Sequence, residues 1–92
     1  MNEAVLDLAD NYDDYKDIID MASEATDDMD KAMLLASKDG QNLRKSLAGL
    51  LGTSEDLIDA DLLSAIDPDD FSKAAEGDED AINRIRDAFI EL

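Results

Sequence analysis

Glu3, Asp7, Asp10, Asp14 and Asp17 recur at steps of three and four residues, with Asp13 and Asp20 beside them. On an α-helix that spacing lines carboxylates along one face. Such a row could bind a cation, share a proton between paired acids, or imitate the phosphates of a duplex and fill the groove of a basic nucleic-acid-binding protein.

Each chemistry makes its own demands. A calcium-binding EF-hand loop needs oxygen ligands at positions 1, 3 and 5, a glycine at 6 and a glutamate at 12. Counting from Asp67, Asp69 fits position 3, but Phe71 and Ser72 fall at positions 5 and 6. Counting from Asp10, Tyr12 already fails at position 3. No EF-hand is present, and no specific metal site or other cofactor is expected. Acid–base work needs one carboxylate held in a desolvating pocket so that the pKa values of the pair separate. These acids instead fall opposite the apolar positions of their helices. With no His and no Cys, the chain lacks imidazole and thiolate, and its serines have no histidine to activate them. No Gly-rich phosphate loop occurs. The expectation is a protein that binds or builds and is not an enzyme.

The charge balance narrows the partners. Twenty-five residues are Asp or Glu and eight are Lys or Arg, a formal net charge of −17. Direct contact with nucleic acid or an anionic membrane would be repulsive. Basic proteins and further copies of the chain remain as partners. Nineteen of the 25 acids are Asp, a poorer helix former than Glu. The excess suggests a short, rigid charge display or an Asp-biased host. A solvated face that merely keeps a small bundle in solution is the plain alternative. The absence of Cys fits a reducing compartment, and no run approaches a membrane span or a signal pattern. The expected location is cytoplasmic or virion-associated.

The elements that would position these residues are helices. No stretch alternates with period two, so no sheet is predicted. Val5, Leu8, Tyr12, Tyr15, Ile19 and Ala22 form a seam at alternating steps of three and four. Asn2 is placed to cap the helix. The same phase runs on through Thr26, Met29, Met33 and Ala36, past Gly40, to Leu43, Leu47 and Leu50. Two architectures fit. In one, a bundle folds back near residues 24–28 and again at Asp39-Gly40, with Gly40 as a left-handed C-cap and Asn42 helping to start the next helix. In the other, a longer helix joins an oligomeric coiled coil and tolerates Gly40 at a cost of about 1 kcal/mol.

Residues 40–52 carry Arg44 and Lys45 and no acid, between flanks contributing −9 and −10. Beyond them, Gly52-Thr53-Ser54 ends a Leu-rich helix, and Thr53 with Asp56 has the spacing of a capping box. Leu57, Ile58, Leu62, Leu63 and Ile66 supply the next apolar face. Asp67-Pro68 reads as N-cap and first helical position, and Gly77 as a stop. The last helix follows Asp78-Glu79-Asp80 and turns Ala81, Ile82, Ile85, Phe89 and Leu92 inward. The sum is an all-α single domain, 1–92, of four or five helices with a long amphipathic N-terminal helix. Residues 1–39 form its acidic, heptad-patterned segment and residues 40–92 its short-helix segment.

Within the second segment, Asn42-Leu43-Arg44-Lys45-Ser46-Leu47 leads to Leu50-Leu51-Gly52. Then come Phe71-Ser72-Lys73-Ala74-Ala75-Glu76-Gly77-Asp78-Glu79-Asp80-Ala81-Ile82 and Ile85-Arg86. This succession, over about residues 42–90, resembles segments of the tail tape-measure proteins of siphophages. Those are long, largely helical, oligomeric proteins that run inside the tail tube. The resemblance implies a structural protein acting by helix–helix association, and brings no catalytic or ligand residues. The candidate packing seam would then be Leu8, Tyr12, Tyr15, Ile19, Met29 and Met33, shared within and between chains. The alternative is an acidic decoy of phage anti-defence type, with Glu3, Asp7, Asp10, Asp14 and Asp17 as its partner-binding face.

Overall fold

A computed structural model describes residues 3–91. It is all-α, with seven α-helices and one 3₁₀ turn among the described residues. These are α1 Glu3–Asp10, α2 Tyr12–Glu24, α3 Asp28–Ala36, α4 Lys38–Leu51, the turn Glu55–Leu57, α5 Ala60–Ala65, α6 Pro68–Ala75 and α7 Glu79–Glu91. The helices are more numerous and shorter than the four or five expected. None of the described helices is long and apolar enough to cross a membrane.

The extra helices arise where a side chain competes for backbone hydrogen bonds. At Asn11 the long N-terminal helix bends: the residue takes φ −118° and ψ 23°, off the helical values. Its side-chain amide donates to the Asp7 carbonyl at 3.1 Å, the same oxygen that accepts the Asn11 backbone N–H. A short polar side chain that shares a helical carbonyl in this way is a recognised cause of bending. The bonds from Asn11 N–H to Asp7 and from Tyr15 N–H to Asn11 persist, so the helix is bent rather than ended.

The chain does fold back near residues 24–28, where Ala25 turns extended and Asp27 caps α3. The next break falls at Ser37 and not at Gly40. Ser37 is both the C-cap of α3 and the N-cap of α4, and its hydroxyl accepts from the Gly40 N–H at 3.1 Å. Gly40 is therefore neither a left-handed cap nor an accident inside one long helix. A Cβ built on it would lie 2.1 Å from the Leu34 carbonyl oxygen. Glycine is there because two backbones meet. The true left-handed stops are Gly52 (φ 71°) and Gly77 (φ 91°). After each, the chain closes with an N–H bonded five residues back, Thr53 to Ala48 and Asp78 to Lys73, the Schellman geometry.

The starts are mostly aspartate. Asp27, Asp59, Asp67 and Asp78 accept from N–H groups of the helices they open. Ser54, rather than Thr53, caps the 3₁₀ turn. Pro68 occupies the first turn of α6 as its sequence position suggests. The expected caps and contacts at Asn2 and Leu92 lie outside the described residues.

Helix α1 packs on α4 and α6, α2 on α5, α4 and α6, and α6 on α7. The two charge-defined segments are thus interleaved in one core. Its centre holds Leu8, Leu43, Leu47, Ile58, Leu63, Ala74 and Ala81 with no exposed surface. Tyr12 is partly buried, and its ring stacks on Phe71 at 5.6 Å and 19°. The Cα radius of gyration is 11.8 Å, close to the ~12 Å expected for a packed chain of this length.

The two glycines within α4, Gly40 in its first turn and Gly49 near its end, should respond oppositely to alanine. Gly40→Ala must push a backbone carbonyl aside and is expected to cost about 1–3 kcal/mol, as overpacking does. Gly49 has only the Ala4 Cβ near its own, at 3.8 Å. Gly49→Ala should therefore stabilise by roughly 0.5–1 kcal/mol through helix propensity. Urea unfolding of both variants reads the pair, and stabilisation by Gly40→Ala would contradict the close approach.

Candidate functional surfaces

The acidic row does not act as one surface. Asp10, Asp14 and Asp17 are exposed, as are Glu3, Asp13 and Asp20. Asp7 is different. It is half-buried, and both of its carboxylate oxygens are occupied. Oδ1 accepts from the Asn11 amide at 3.1 Å. Oδ2 accepts from the Tyr15 hydroxyl at 2.6 Å and from the Ser46 hydroxyl. Three helices meet at that one group: α1 supplies the acid, α2 the tyrosine and α4 the serine. Sequence spacing placed Asp7 with its outward neighbours, because period alone cannot report that a tyrosine two turns on and a serine 39 residues away both aim at it.

The same contacts explain Tyr15. Its ring is buried in the core, and a buried phenol must satisfy its hydroxyl. Burial first, and then the hydrogen bond to the Asp7 carboxylate, pushes its pKa up to about 12. The proton stays with the tyrosine, where it serves as a donor. The group ties three helices together through its hydrogen bonds. No group of three or more acids able to hold a metal occurs among the described residues.

The candidate seam divides at the α2–α3 turn. Leu8, Tyr15 and Ile19 are fully inside, with Val5 and Ala22, and Tyr12 lies at the edge of the core. Met29 and Met33 do not continue the seam: they are 73% and 66% exposed. The turn at Ala25–Asp27 resets the helical phase, and α3 buries Leu34 in the core with Leu35 packed at its edge. The phase continuity that ran through Thr26 is a coincidence of counting across a loop.

Outside the core, Ile18, Met21 and Ala25 of the α2 end face Met33, Leu34 and Ser37 across an open groove of about 550 Å³. Glu24, Asp30 and Asp39 complete its lining, and no lysine or arginine is among the lining residues. Met21 is half exposed. Nothing in the periodicity singled this place out: its two methionines, Met21 and Met33, lie on different helices twelve residues apart.

Elsewhere the acids are largely without cationic partners. Among the described residues there are two ion pairs, Lys31–Asp61 at 3.3 Å and Arg84–Asp70 at 2.6 Å. Arg44 is spent on the backbone, donating to the carbonyls of Ile58 and Glu55.

No protein-family model matches the chain, and no curated protein or solved structure matches it either. The fold and these surfaces therefore carry the functional reading by themselves. The turn from Ala74 to Asp78, part of the tape-measure resemblance, has a sufficient local cause in its Schellman geometry.

Tyr15→Phe removes a donor to a charged acceptor and is expected to lower stability near neutral pH by about 1.5–3 kcal/mol. It should also change the alkaline limb. The unfolded chain releases this proton near 10.0, whereas the folded chain holds it to about 12. Stability from the neutral phenol is therefore whole below pH 10 and is lost as pH rises through 12. Urea unfolding from neutral pH into that window should show a fall in the parent that is reduced in Tyr15→Phe. An equal fall in both would mean that Tyr15 does not carry it.

Proposed function

We propose that this chain is a non-enzymatic helical binding module whose partner is a basic protein surface. The observation that carries the reading is the contrast between its charge and its pairing: a net charge of −17 with two ion pairs among the described residues. Carboxylates left uncompensated on a folded surface attract cationic partners and speed their encounter. Glu3, Asp10, Asp14 and Asp17 form the exposed part of the row, and Asp13 and Asp20 extend it along α2. Asp7 belongs to the core network and is not available to a partner. A basic nucleic-acid-binding protein is the partner class that such a row suits, with the chain as its decoy.

The direct test is competition. The chain should displace a labelled DNA duplex from a sequence-nonspecific basic DNA-binding protein, with an effect that weakens as salt is raised. The combined change Asp10→Asn, Asp14→Asn and Asp17→Asn should weaken displacement by roughly tenfold to a hundredfold, at about 0.5–1 kcal/mol for each charge. Unchanged displacement by that variant would remove the row from the interface.

A second reading, a helical assembly protein of phage type, draws support from apolar side chains left outside the core: Leu6, Met29, Met33 and Ile90. Association would use these and not the seam, whose Leu8, Tyr15 and Ile19 are already packed within the chain. Light scattering after size exclusion at roughly 50 and 500 mM salt, a range over which the screening length falls about threefold, separates the readings. A defined oligomer that strengthens with salt supports assembly. A monomer at both salts leaves the binding module.

A further inference from the structure

The groove between α2 and α3 has an apolar floor and an acidic rim, and the two properties together specify an occupant. We propose that it is a docking site for a basic amphipathic helix of a partner protein. The inference rests on the binding-module reading and deepens it by naming the site and the form of the ligand.

The floor comes first. Ile18 and Leu34 are buried at its base, and Met21 and Met33 stand half or more exposed over it. Exposed apolar area of this kind is costly in water and is recovered when a partner covers it. Methionine suits such a surface because its unbranched, polarisable chain repacks around side chains of different shape. Ile18, Met21 and Ala25 run along α2 for about 10 Å, seven residues at ~1.5 Å each, which is the length of two turns of an opposing helix. Apolar anchors at i, i+3 or i+4 and i+7 on that helix would face the floor.

The rim selects among occupants. Glu24, Asp30 and Asp39 border the groove, and no cation lines it. Lys31, on the same helix as Met33, is held in its ion pair with Asp61 on α5. A fatty acid or other anionic amphiphile would meet repulsion. So would a second copy, whose surface carries the same charge excess. A helix with lysine or arginine flanking its apolar stripe satisfies both floor and rim.

The test uses three synthetic peptides of roughly 18 residues, about five helical turns: an amphipathic Leu/Lys helix, its Leu/Glu counterpart, and a Ser/Lys peptide of the same charge without apolar anchors. Calorimetric titration into the full chain should give the Leu/Lys peptide an affinity about tenfold or more above the Ser/Lys peptide, with no binding of the Leu/Glu peptide. In spectra of methyl-labelled methionine, the resonances of Met21 and Met33 should shift with the Leu/Lys peptide. The double variant Met21→Gln, Met33→Gln changes exposed side chains, so it keeps the fold. It should bring Leu/Lys affinity down to the Ser/Lys level, whereas Leu57→Gln, also exposed but remote in sequence, should leave it unchanged. Two results overturn the groove. One is equal affinity for both basic peptides, unaffected by the methionine changes, which keeps the basic-partner reading and removes this site. The other is binding of neither, which removes both.

Discussion

The carboxylate of Asp7 is the constraint around which the N-terminal half is arranged. A half-buried charge has lost part of its water and must be compensated by donors. Here the donors come from Asn11, Tyr15 and Ser46. Each has a separate consequence. The Asn11 amide bends the first helix, the Tyr15 hydroxyl sets how α2 sits beside α1, and the Ser46 hydroxyl sets the register of α1 on α4. Because Asp7 and Ser46 are 39 residues apart, the bond also commits the acidic segment to the Leu-rich one. With the network formed, Leu8 and Val5 on α1 and Ile18 and Ile19 on α2 all reach a common core. An acid partly withdrawn from the surface thus ties together the helices that carry Asp10, Asp14 and Asp17 outside.

The surplus of aspartate over glutamate has a structural cause. Short helices multiply helix starts, and every start leaves N–H groups that need an acceptor. Aspartate is short enough to turn back and accept from the N–H two or three residues on, as Asp27, Asp59, Asp67 and Asp78 do. Further acids, among them Asp28, Asp39, Asp61 and Asp69, lie in first turns, where the helix dipole favours negative charge. Much of what looks like a charge display is thus the means of beginning many helices in few residues. The carboxylates that need another explanation are those in mid-helix or toward helix ends, such as Asp10, Asp17 and Asp20.

What was legible in the sequence follows the range of the interaction concerned. Val5, Leu8, Tyr15, Ile19 and Ala22 were readable as an inward face because helical period is local. So were the Asp67-Pro68 start and the stops at Gly52 and Gly77, each set within a few residues. The Ser37 break was missed because a serine before Lys38 competes, on paper, with a conspicuous Gly40. Only the approach of the Leu34 carbonyl reveals why that glycine is present. Asp7 was misplaced because its decisive partner is distant in sequence. Met29 and Met33 were carried into the seam by counting through a turn that resets the phase. The groove needs two helices brought side by side, which no single-helix pattern contains.

The scarcity of ion pairs has one more implication. Two interleaved segments of like charge are held in one core, with few fixed cations to neutralise them. The neutralising cations must therefore come from the surrounding electrolyte. Mobile ions gathering about the folded surface lower its self-repulsion more than that of the expanded chain. In that sense the counterion atmosphere is a component of the native state. On this argument the molecule should be sturdier in brine than in dilute buffer, with part of what holds its helices together dissolved around it.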